Sequence, residues 1–362
     1  MTVSATPEPG VTGSPAASGA IASAAPSDDD IVLKAEDIEV LFNRTGAFSR
    51  LFTGRKHARP VLHALDGVSL SLRRGESLAL VGESGSGKST FANVLVGRIT
   101  PTIGEVHFEG SRVNAERSIT HRRRIQMVFQ DPYSSLNPRM TVRRAISELL
   151  RVHHIVPTSG IDAELVRLVN LVGLDEDVLD AYPDQFSGGQ RQRLAIARAL
   201  AVRPDVLVAD EPVSALDVSV QATVLNLISD LQRELGLSVL FIGHNLSVVR
   251  SLCQRVAVMY LGRIVEVADV DEIFNNPRHP YTKALIASIP RMHRTIEREP
   301  AIQGDPPSPI NLPKGCRFQS RCPVVQERCL TDDPALRLLG SPAVASGATA
   351  HLSACHFAEE LQ

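Results

Sequence analysis

A glycine-rich stretch, GESGSGKST from Gly82 to Thr90, has the residue types and spacing of a phosphate-binding loop. Glycines let successive backbone N–H groups turn toward an anion, because no Cβ blocks its approach. Lys88 would place a positive charge beside the β and γ phosphates, and the hydroxyl of Ser89 would ligate Mg²⁺. The glycines of this predicted phosphate loop are Gly82, Gly85 and Gly87.

Polar residues follow three apolar runs elsewhere in the chain. Asp210 and Glu211 end the run in VLVADEP, where Asp210 could hold Mg²⁺ through water and Glu211 could polarise an attacking water. Gln130 follows IQMVF, and His244 follows LSVLFIG. The carboxyl ends of parallel strands converge on one ligand crevice, so we expect Gln130 and His244 to sense the γ-phosphate.

The stretch FSGGQRQRLAIARAL, from Phe186 to Leu200, predicts a second phosphate-facing helix start. Free N–H groups and the helix dipole favour an anion at such a position. Ser187 and Gly189 follow a helical stretch that separates them from the phosphate loop, so we expect them to face a nucleotide held by another subunit. Two chains would then enclose two nucleotides reciprocally, with C2-like symmetry.

Short apolar runs alternating with helical patterns must position these groups. SLALVG, IQMVFQ, DVLVAD and LSVLFIG are typical of buried parallel strands and predict an α/β core. IVLKAEDIEVLF and VLHALDGVSLSL predict two further strands, and RVAVMYLGRIVEVA predicts a hairpin. Residues from about 131 to 185 have helical spacing and no strand-like run, which predicts an all-α insertion.

The composition indicates a globular protein, with 43% hydrophobic and 22% charged residues among 362. A net charge of −2 argues against binding nucleic acid through bulk charge, so we expect no nucleic-acid partner. No apolar run is long enough for a membrane span. Residues 1–30 lack the basic start and apolar run of a signal peptide and predict a disordered tail. We therefore expect a cytosolic chain with reduced thiols.

Four of the five cysteines cluster near the end of the chain, which in a reducing compartment indicates a metal site. Their spacings are five, six and twenty-five intervening residues, and the tight C-x₂-C pairs usual for zinc are missing. The wide spacing favours a [4Fe–4S] cluster. Zinc, with His351 or His356 as substitute ligands, and four unliganded thiols are the alternatives. The four cysteines are Cys316, Cys322, Cys329 and Cys355.

Taken together, the phosphate loop, FSGGQ, ADEP, SALD and a strand-end histidine resemble the ATP-binding subunit of ABC transporters over about 31–270. QDPYSSLNPRMTV, RHPYTKALIASIP and GCRFQSRCP are similar to the oligopeptide, dipeptide and nickel importer branch, and the 43–60 loop to its F-type ATPase. The resemblance implies a P-loop NTPase fold with a RecA-like parallel core, an antiparallel β part, an all-α insertion and a small cysteine-containing C-terminal region.

The resemblance also implies site residues. Phe42 would stack on adenine, Glu211 would be the catalytic base, and His244 would be the switch histidine. Asp217 would lie in a dimer-contact loop. The position after His244 is Asn245, where this family usually has aspartate. Phosphate and Mg²⁺ binding would fall to Lys88, Ser89, Thr90, Gln130 and Asp210, and contact with the partner's γ-phosphate to Ser187, Gly188, Gly189 and Gln190.

The resemblance further implies a division of the chain and a set of partners. Residues 1–30 would be a tail, 31–270 the ATP-binding domain with a helical subdomain at about 131–185, and 271–362 a C-terminal importer-type region. The partners would be a second homologous ATPase, two membrane permeases and an extracytoplasmic solute-binding protein. The chain would then lie at the cytoplasmic face of the membrane.

There are three alternatives to a peptide importer. The same motor could import nickel or another small solute. A soluble ABC ATPase acting on ribosomes or DNA would carry two motif sets or a long coiled-coil insert, and this sequence has neither. A module that has lost hydrolysis would lack Glu211 or His244, and both residues are present.

Overall fold

A computed structural model describes most of the chain. The described residues are 30–43, 61–113, 117–131, 135–289, 304–340 and 350–361. The predicted tail, except for Asp30, and the predicted 43–60 loop, except for Asn43, lie outside these ranges.

The centre of the fold is an eight-stranded sheet with the strand order β11-β12-β10-β9-β3-β8-β7-β6. The five strands from β9 to β6 run parallel, which confirms the predicted α/β core. Strands β3, β7, β8 and β9 are buried along their whole length, because a second, antiparallel sheet and one helix pack on one face and helices pack on the other. The parallel strands are β3 Ser77–Val81, β6 Ile125–Val128, β7 Val206–Asp210, β8 Ser238–Gly243 and β9 Arg255–Tyr260.

The antiparallel strands form one edge of this sheet and a second, four-stranded sheet. β10 Arg263–Asp269 pairs with β9 through the predicted hairpin, and β12 Leu352–Ser353 and β11 Arg337–Leu338 extend the edge. The four-stranded sheet has the order β2-β1-β4-β5. Its strands are β1 Ile31–Asn43, β2 Val61–Arg73, β4 Ile103–Phe108 and β5 Ser111–Arg112, of which only the first two were predicted.

Helices connect the strands and end where the local sequence stops them. α6 ends at Gly236, whose φ of 65° suits glycine. α1 begins at Lys88 itself, three residues before the predicted run FANVLVGRI. The helices are α1 Lys88–Leu95, α2 Ile119–Arg124, α3 Val142–Val152, α4 Ile161–Leu171, α5 Gly188–Leu200, α6 Val218–Leu235, α7 Leu246–Leu252, α8 Val270–Asn275, α9 Pro280–Ala287 and α10 Glu327–Thr331.

Every described element between β6 and β7 is helical, as the sequence predicts. Three short 3-10 helices accompany α3, α4 and α5 there, at Thr158–Gly160, Glu176–Asp180 and Pro183–Gln185. The buried apolar residues of this part pack against α6 and the neighbouring strands as one core. The part is therefore continuous with the sheet rather than a separate body. Among the described residues, no helix is both long and apolar enough to cross a membrane.

The C-terminal region packs against the parallel sheet. Tyr281 of α9 and Phe318 share a buried core with strands β3 and β9. The rings of Tyr260, Tyr281 and Phe318 lie 4.6 to 5.4 Å apart by their centroids. Such aromatic clusters bury a large area, so the C-terminal region is packed onto the core that carries the phosphate loop.

Candidate nucleotide site

The predicted phosphate loop lies between β3 and α1, at the carboxyl end of the parallel sheet. Gly85 and Gly87 have φ values of 78° and 109°, which side-chain-bearing residues rarely adopt. A Cβ on Gly87 would also stand 2.6 Å from the backbone oxygen of Ala64. The loop conformation therefore requires glycine at this point. Because Gly87 offers no side-chain cap to α1, the first N–H groups of the helix stay available for an anion.

Lys88 folds back over this loop. Its Nζ donates to the backbone oxygens of Gly82 and Glu83, each at 2.8 Å. Burial lowers the pKa of Lys88, and the nearby carboxylates of Glu211 and Asp210 oppose that shift. The positive charge is thus held in a partly desolvated position, where its attraction for a phosphate is stronger than in bulk water.

A helix start and a strand end bring a hydroxyl and a carboxylate together beside the loop. Ser89 Oγ, in the first turn of α1, donates to Asp210 Oδ1 at the end of β7 at 3.2 Å. Burial raises the pKa of Asp210, and the hydrogen bond from Ser89 opposes the shift. A hydroxyl and a carboxylate oxygen are ligands that Mg²⁺ accepts, so this pair fits the predicted metal position.

The carboxylate of Glu211 contacts the side chains of the two other strand-end residues. Its Oε2 accepts from Gln130 Nε2 at 3.3 Å, and its Oε1 lies 3.5 Å from His244 Nδ1. The backbone of Glu211 has a φ of 44°, which is unusual for a residue with a side chain, and its N–H bonds Ile242 O at 2.9 Å. Strained backbone of this kind, held by hydrogen bonds, is found at functional sites.

A cavity of about 330 Å³ lies beside these groups. The phosphate loop, Gln130 and Glu211 line one part of it, and Phe42 lines another with 39% of its surface exposed. An exposed ring beside a phosphate site has the position expected for stacking on a base. Thr90, the remaining predicted phosphate residue, also lines this cavity.

The second helix start lies elsewhere. Ser187, Gly189 and Gln190 line a different cavity of about 740 Å³, which shares no residue with the first. Ser187 Oγ accepts from Gln190 N at 3.3 Å, and Gln190 Oε1 accepts from Ser187 N at 3.0 Å. Gly188 begins α5 between them, and Asp217 is an exposed N-cap of α6. The structure thus separates the two predicted phosphate-facing segments within one chain.

All four C-terminal cysteines line one small, narrow cavity, together with His356. Burial raises the pKa of Cys316 to about 12 and that of Cys355 to about 11, which keeps these thiols protonated. In the described part of the chain, no three His, Cys, Asp or Glu side chains are arranged to hold a metal ion. His351, a predicted substitute ligand, does not line this cavity, and its Nε2 lies 2.7 Å from Glu266 Oε1.

Sequence reasoning missed the C-terminal residues that reach the nucleotide site. Pro309 lines the nucleotide cavity and accepts a hydrogen bond from the backbone of His63 at 3.2 Å. Arg321 makes an ion pair with Glu83 of the phosphate loop at 2.8 Å. The cysteines of the stretch GCRFQSRCP indicate a possible metal site, but nothing in its spacing indicates which residues its arginines contact.

Two family models match the chain. The model described as "ABC transporter" matches residues 65–214, and that described as "Oligopeptide/dipeptide transporter, C-terminal region" matches residues 265–329. The oligopeptide transport ATP-binding protein AppF of Bacillus subtilis is 43% identical over 338 residues, which cover 91% of this chain and 98% of that protein. The chain belongs to the ABC transporter family.

Further relatives and solved structures agree with this family. The dipeptide transport ATP-binding protein DppF of Haemophilus influenzae is 50% identical, over 75% of this ABC ATPase and 85% of its own length. The oligopeptide transport ATP-binding protein OppF of Salmonella typhimurium is 48% identical, over 76% and 84%.

Solved cassettes have the same fold. The structure of cbiO1 from Clostridium perfringens, part of the ABC transporter complex cbiONQ, aligns with a TM-score of 0.57 and 29% identity, covering 68% of this chain and 92% of its own. A dimeric ATP-binding cassette in a post-hydrolysis state, bound to ADP and Pi, aligns with a TM-score of 0.56 and 27% identity, covering 66% and 98%. The predicted ABC ATPase fold is therefore confirmed.

Proposed function

We propose that this ABC ATPase hydrolyses ATP to drive the import of oligopeptides or dipeptides through a separate membrane permease. The observation that carries the ATPase part is that Ser89 and Glu211 line one cavity at the end of the sheet, where Ser89 also donates to Asp210. The peptide part is supported by relatives named for oligopeptide and dipeptide transport and by the matched C-terminal region.

In this proposal each side chain of the cavity has one task. The phosphate loop and Lys88 bind the triphosphate, Phe42 stacks on adenine, and Ser89 with Asp210 holds Mg²⁺ near Gln130. Glu211 accepts the proton of the attacking water. Contacts of its carboxylate with Gln130 and His244 orient it and support this role.

The Ser187 segment serves a second nucleotide. Its cavity is separate from that of the phosphate loop, which supports a site completed between two ATPase subunits. Each nucleotide would lie between the phosphate loop of one subunit and the Ser187–Gln190 segment of the other. Asp217, exposed at the start of α6 beside that segment, would contribute to the contact between subunits.

The proposed assembly contains this chain, a second homologous ATPase, two permeases and an extracytoplasmic solute-binding protein, at the cytoplasmic face of the membrane. Residues 31–270 would bind and hydrolyse ATP, and 271–362 would form an importer-type C-terminal region. The match of the oligopeptide/dipeptide C-terminal model to 265–329 supports this division.

For the four cysteines we keep the [4Fe–4S] cluster as the proposed group. All four thiols face one cavity, and a cluster would need them deprotonated and held together. A single zinc ion would need its ligands about 2.3 Å from the metal, and the described side chains do not offer such a group. The wide spacing of the cysteines in the sequence favours a cluster over a single ion. The role of the cluster would be structural or redox-sensing rather than catalytic, because ATP hydrolysis transfers no electron.

Transport in proteoliposomes tests the proposed cargo. Vesicles that contain the chain, the second ATPase and the permeases, with the solute-binding protein outside, should accumulate labelled di- or oligopeptides only with internal ATP. Glu234→Gln on the exposed side of α6 should transport normally, whereas Glu211→Gln should not. Uptake of nickel in place of peptides, or ATP hydrolysis with no uptake of either, would contradict the proposal.

Elemental analysis tests the proposed cluster. Protein purified without oxygen should contain iron and acid-labile sulfide and absorb visible light, and Cys329→Ser should lose the signal. Cys253→Ser, at a buried cysteine outside the cavity, is the matched control. Colourless protein with stoichiometric zinc would move the assignment to zinc, and protein without metal would reject both.

A further inference from the structure

The C-terminal region reaches the phosphate loop through Glu83, the second residue of GESGSGKST. Arg321 donates two parallel hydrogen bonds to the Glu83 carboxylate, from NH1 to Oε2 at 2.8 Å and from NH2 to Oε1 at 2.9 Å. Only 6% of the Arg321 side chain is exposed. A two-bonded, nearly buried arginine–carboxylate pair fixes both partners in position more strongly than a surface pair does.

The rest of Glu83 is held as well. Its backbone N–H donates to the hydroxyl of Tyr281 in α9 at 2.8 Å, and its backbone oxygen accepts from Lys88 Nζ. Arg321 NH1 also lies 3.3 Å from the hydroxyl of Tyr260 at the end of β9. Two C-terminal side chains thus hold the residue whose carbonyl contacts the phosphate-binding lysine.

Charge gives this contact a second consequence. Glu83 places a carboxylate in the loop that must accept a triphosphate, and like charges repel each other. Arg321 neutralises that carboxylate through the ion pair at 2.8 Å. Without Arg321, the loop would present an uncompensated negative charge to the nucleotide.

We propose that Arg321 is a positioning residue for nucleotide binding, which acts on ATP through Glu83 and makes the C-terminal region part of the ATP site. The short turn that carries Arg321 also carries Cys316 and Cys322 to the cysteine cavity, so the two features share one segment. The inference rests on the proposed nucleotide site and is independent of the cargo and of any metal.

Equilibrium binding of ATP to the full-length chain tests this role. Arg321→Ala should raise the Kd for ATP about tenfold or more, because a charged hydrogen-bonded pair is lost and one carboxylate is left exposed to the phosphates. Arg321→Lys keeps the charge but loses the two-bonded geometry, so its Kd should rise less. Adding Glu83→Gln to Arg321→Ala should restore most of the affinity by removing the repelling charge.

A matched control separates this effect from a general loss of stability. Arg328 and Asp332 form an ion pair at 3.0 Å in the same region, exposed and away from the phosphate loop. Arg328→Ala should leave the Kd unchanged. In the assembled ATPase, Arg321→Ala and Arg321→Lys should raise KM for ATP while kcat stays within about twofold of the wild-type value.

Three results would overturn the proposal. They are an unchanged Kd in Arg321→Lys and Arg321→Ala, a loss of melting temperature with no change in Kd, and a failure of Glu83→Gln to restore binding. Binding of ATP by the wild-type chain, and loss of that binding when Lys88 is replaced, establishes the nucleotide site itself. An unaffected Arg321 variant would then contradict this inference alone, whereas wild-type chain that binds no ATP would contradict the proposed function.

Discussion

The two glycine-rich helix starts of this ABC ATPase differ in what caps them and in what surrounds them. α1 begins after Gly87 without a side-chain cap, in a cavity that holds Lys88 and Glu211. α5 begins after Ser187, whose hydroxyl and backbone are both engaged by Gln190, in a cavity without these groups. The first helix start therefore has side chains beside it that could bind and hydrolyse a nucleotide. The second has only groups that could contact one.

This difference shows that a helix N-terminus is not sufficient for a catalytic site. Both starts offer a positive dipole end, but only α1 lies where the carboxyl ends of β6, β7 and β8 deliver polar side chains. The function of each start therefore depends on its neighbours in the sheet. The predictions below alter one start at a time and compare the consequences.

The largest effect should follow from Glu211→Gln, at the cavity of the first start. The amide keeps the shape of the side chain but cannot accept the proton of the attacking water. We expect hydrolysis in the assembled ATPase to fall roughly 10²–10⁴-fold. The Kd for ATP of the isolated chain should stay within about twofold of the wild-type value, and near-normal turnover would reject the role of this carboxylate.

A matched pair of glycine substitutions should separate the effect on ATP binding by the chain from the effect on ATP hydrolysis by the assembly. In Gly87→Ala, a Cβ would contact the backbone oxygen of Ala64 at a φ of 109°, so the loop must deform and the Kd for ATP should rise at least about tenfold. In Gly189→Ala, the new Cβ would contact Val220 instead. That variant should keep its own ATP affinity and lose a few-fold in hydrolysis by the assembly. Equal losses of affinity would contradict the comparison.

The dependence of Mg²⁺ binding on pH should be a smaller effect. Burial raises the pKa of Asp210, so this carboxyl accepts a proton at a higher pH than an ordinary aspartate with its value of 3.8. Protonation removes a ligand of Mg²⁺. The gain in ATP affinity due to Mg²⁺ should therefore begin to shrink at a higher pH than an ordinary aspartate would cause. Asp210→Asn, which has no carboxyl to protonate, is the control, since protonation of ATP itself affects both proteins alike.

Much of this arrangement could be predicted from the sequence, because it depends on local patterns. Buried runs such as Ser77–Val81 indicate parallel strands by their apolar content, and strand order at a sheet edge brings Glu211 and Gln130 together. The separation of Ser187 from the phosphate loop was predicted from the helical stretch between them. The length of the helical stretch between the two segments was enough to predict that they lie apart.

The contacts of the C-terminal region could not be predicted in this way. Arg321 and Glu83 are 238 positions apart, and neither belongs to a periodic pattern that fixes its direction. β4 was missed because IGEVHF is only partly buried and carries charged residues among its apolar ones. β11 and β12 are two residues each, which is too short for any alternation to be recognised. Such features depend on tertiary packing, which overrides local preference.

The central claim is that the phosphate loop and the Ser187 segment of one chain serve different nucleotides. The most direct test is the Kd for ATP of dilute, isolated chain that carries Ser187→Arg, with Lys88→Ala as the reference for a damaged site. We predict that Ser187→Arg binds ATP within about twofold of the wild-type chain, while Lys88→Ala loses at least about tenfold, because only Lys88 contacts the chain's own phosphates. A loss in Ser187→Arg as large as that in Lys88→Ala would contradict the claim.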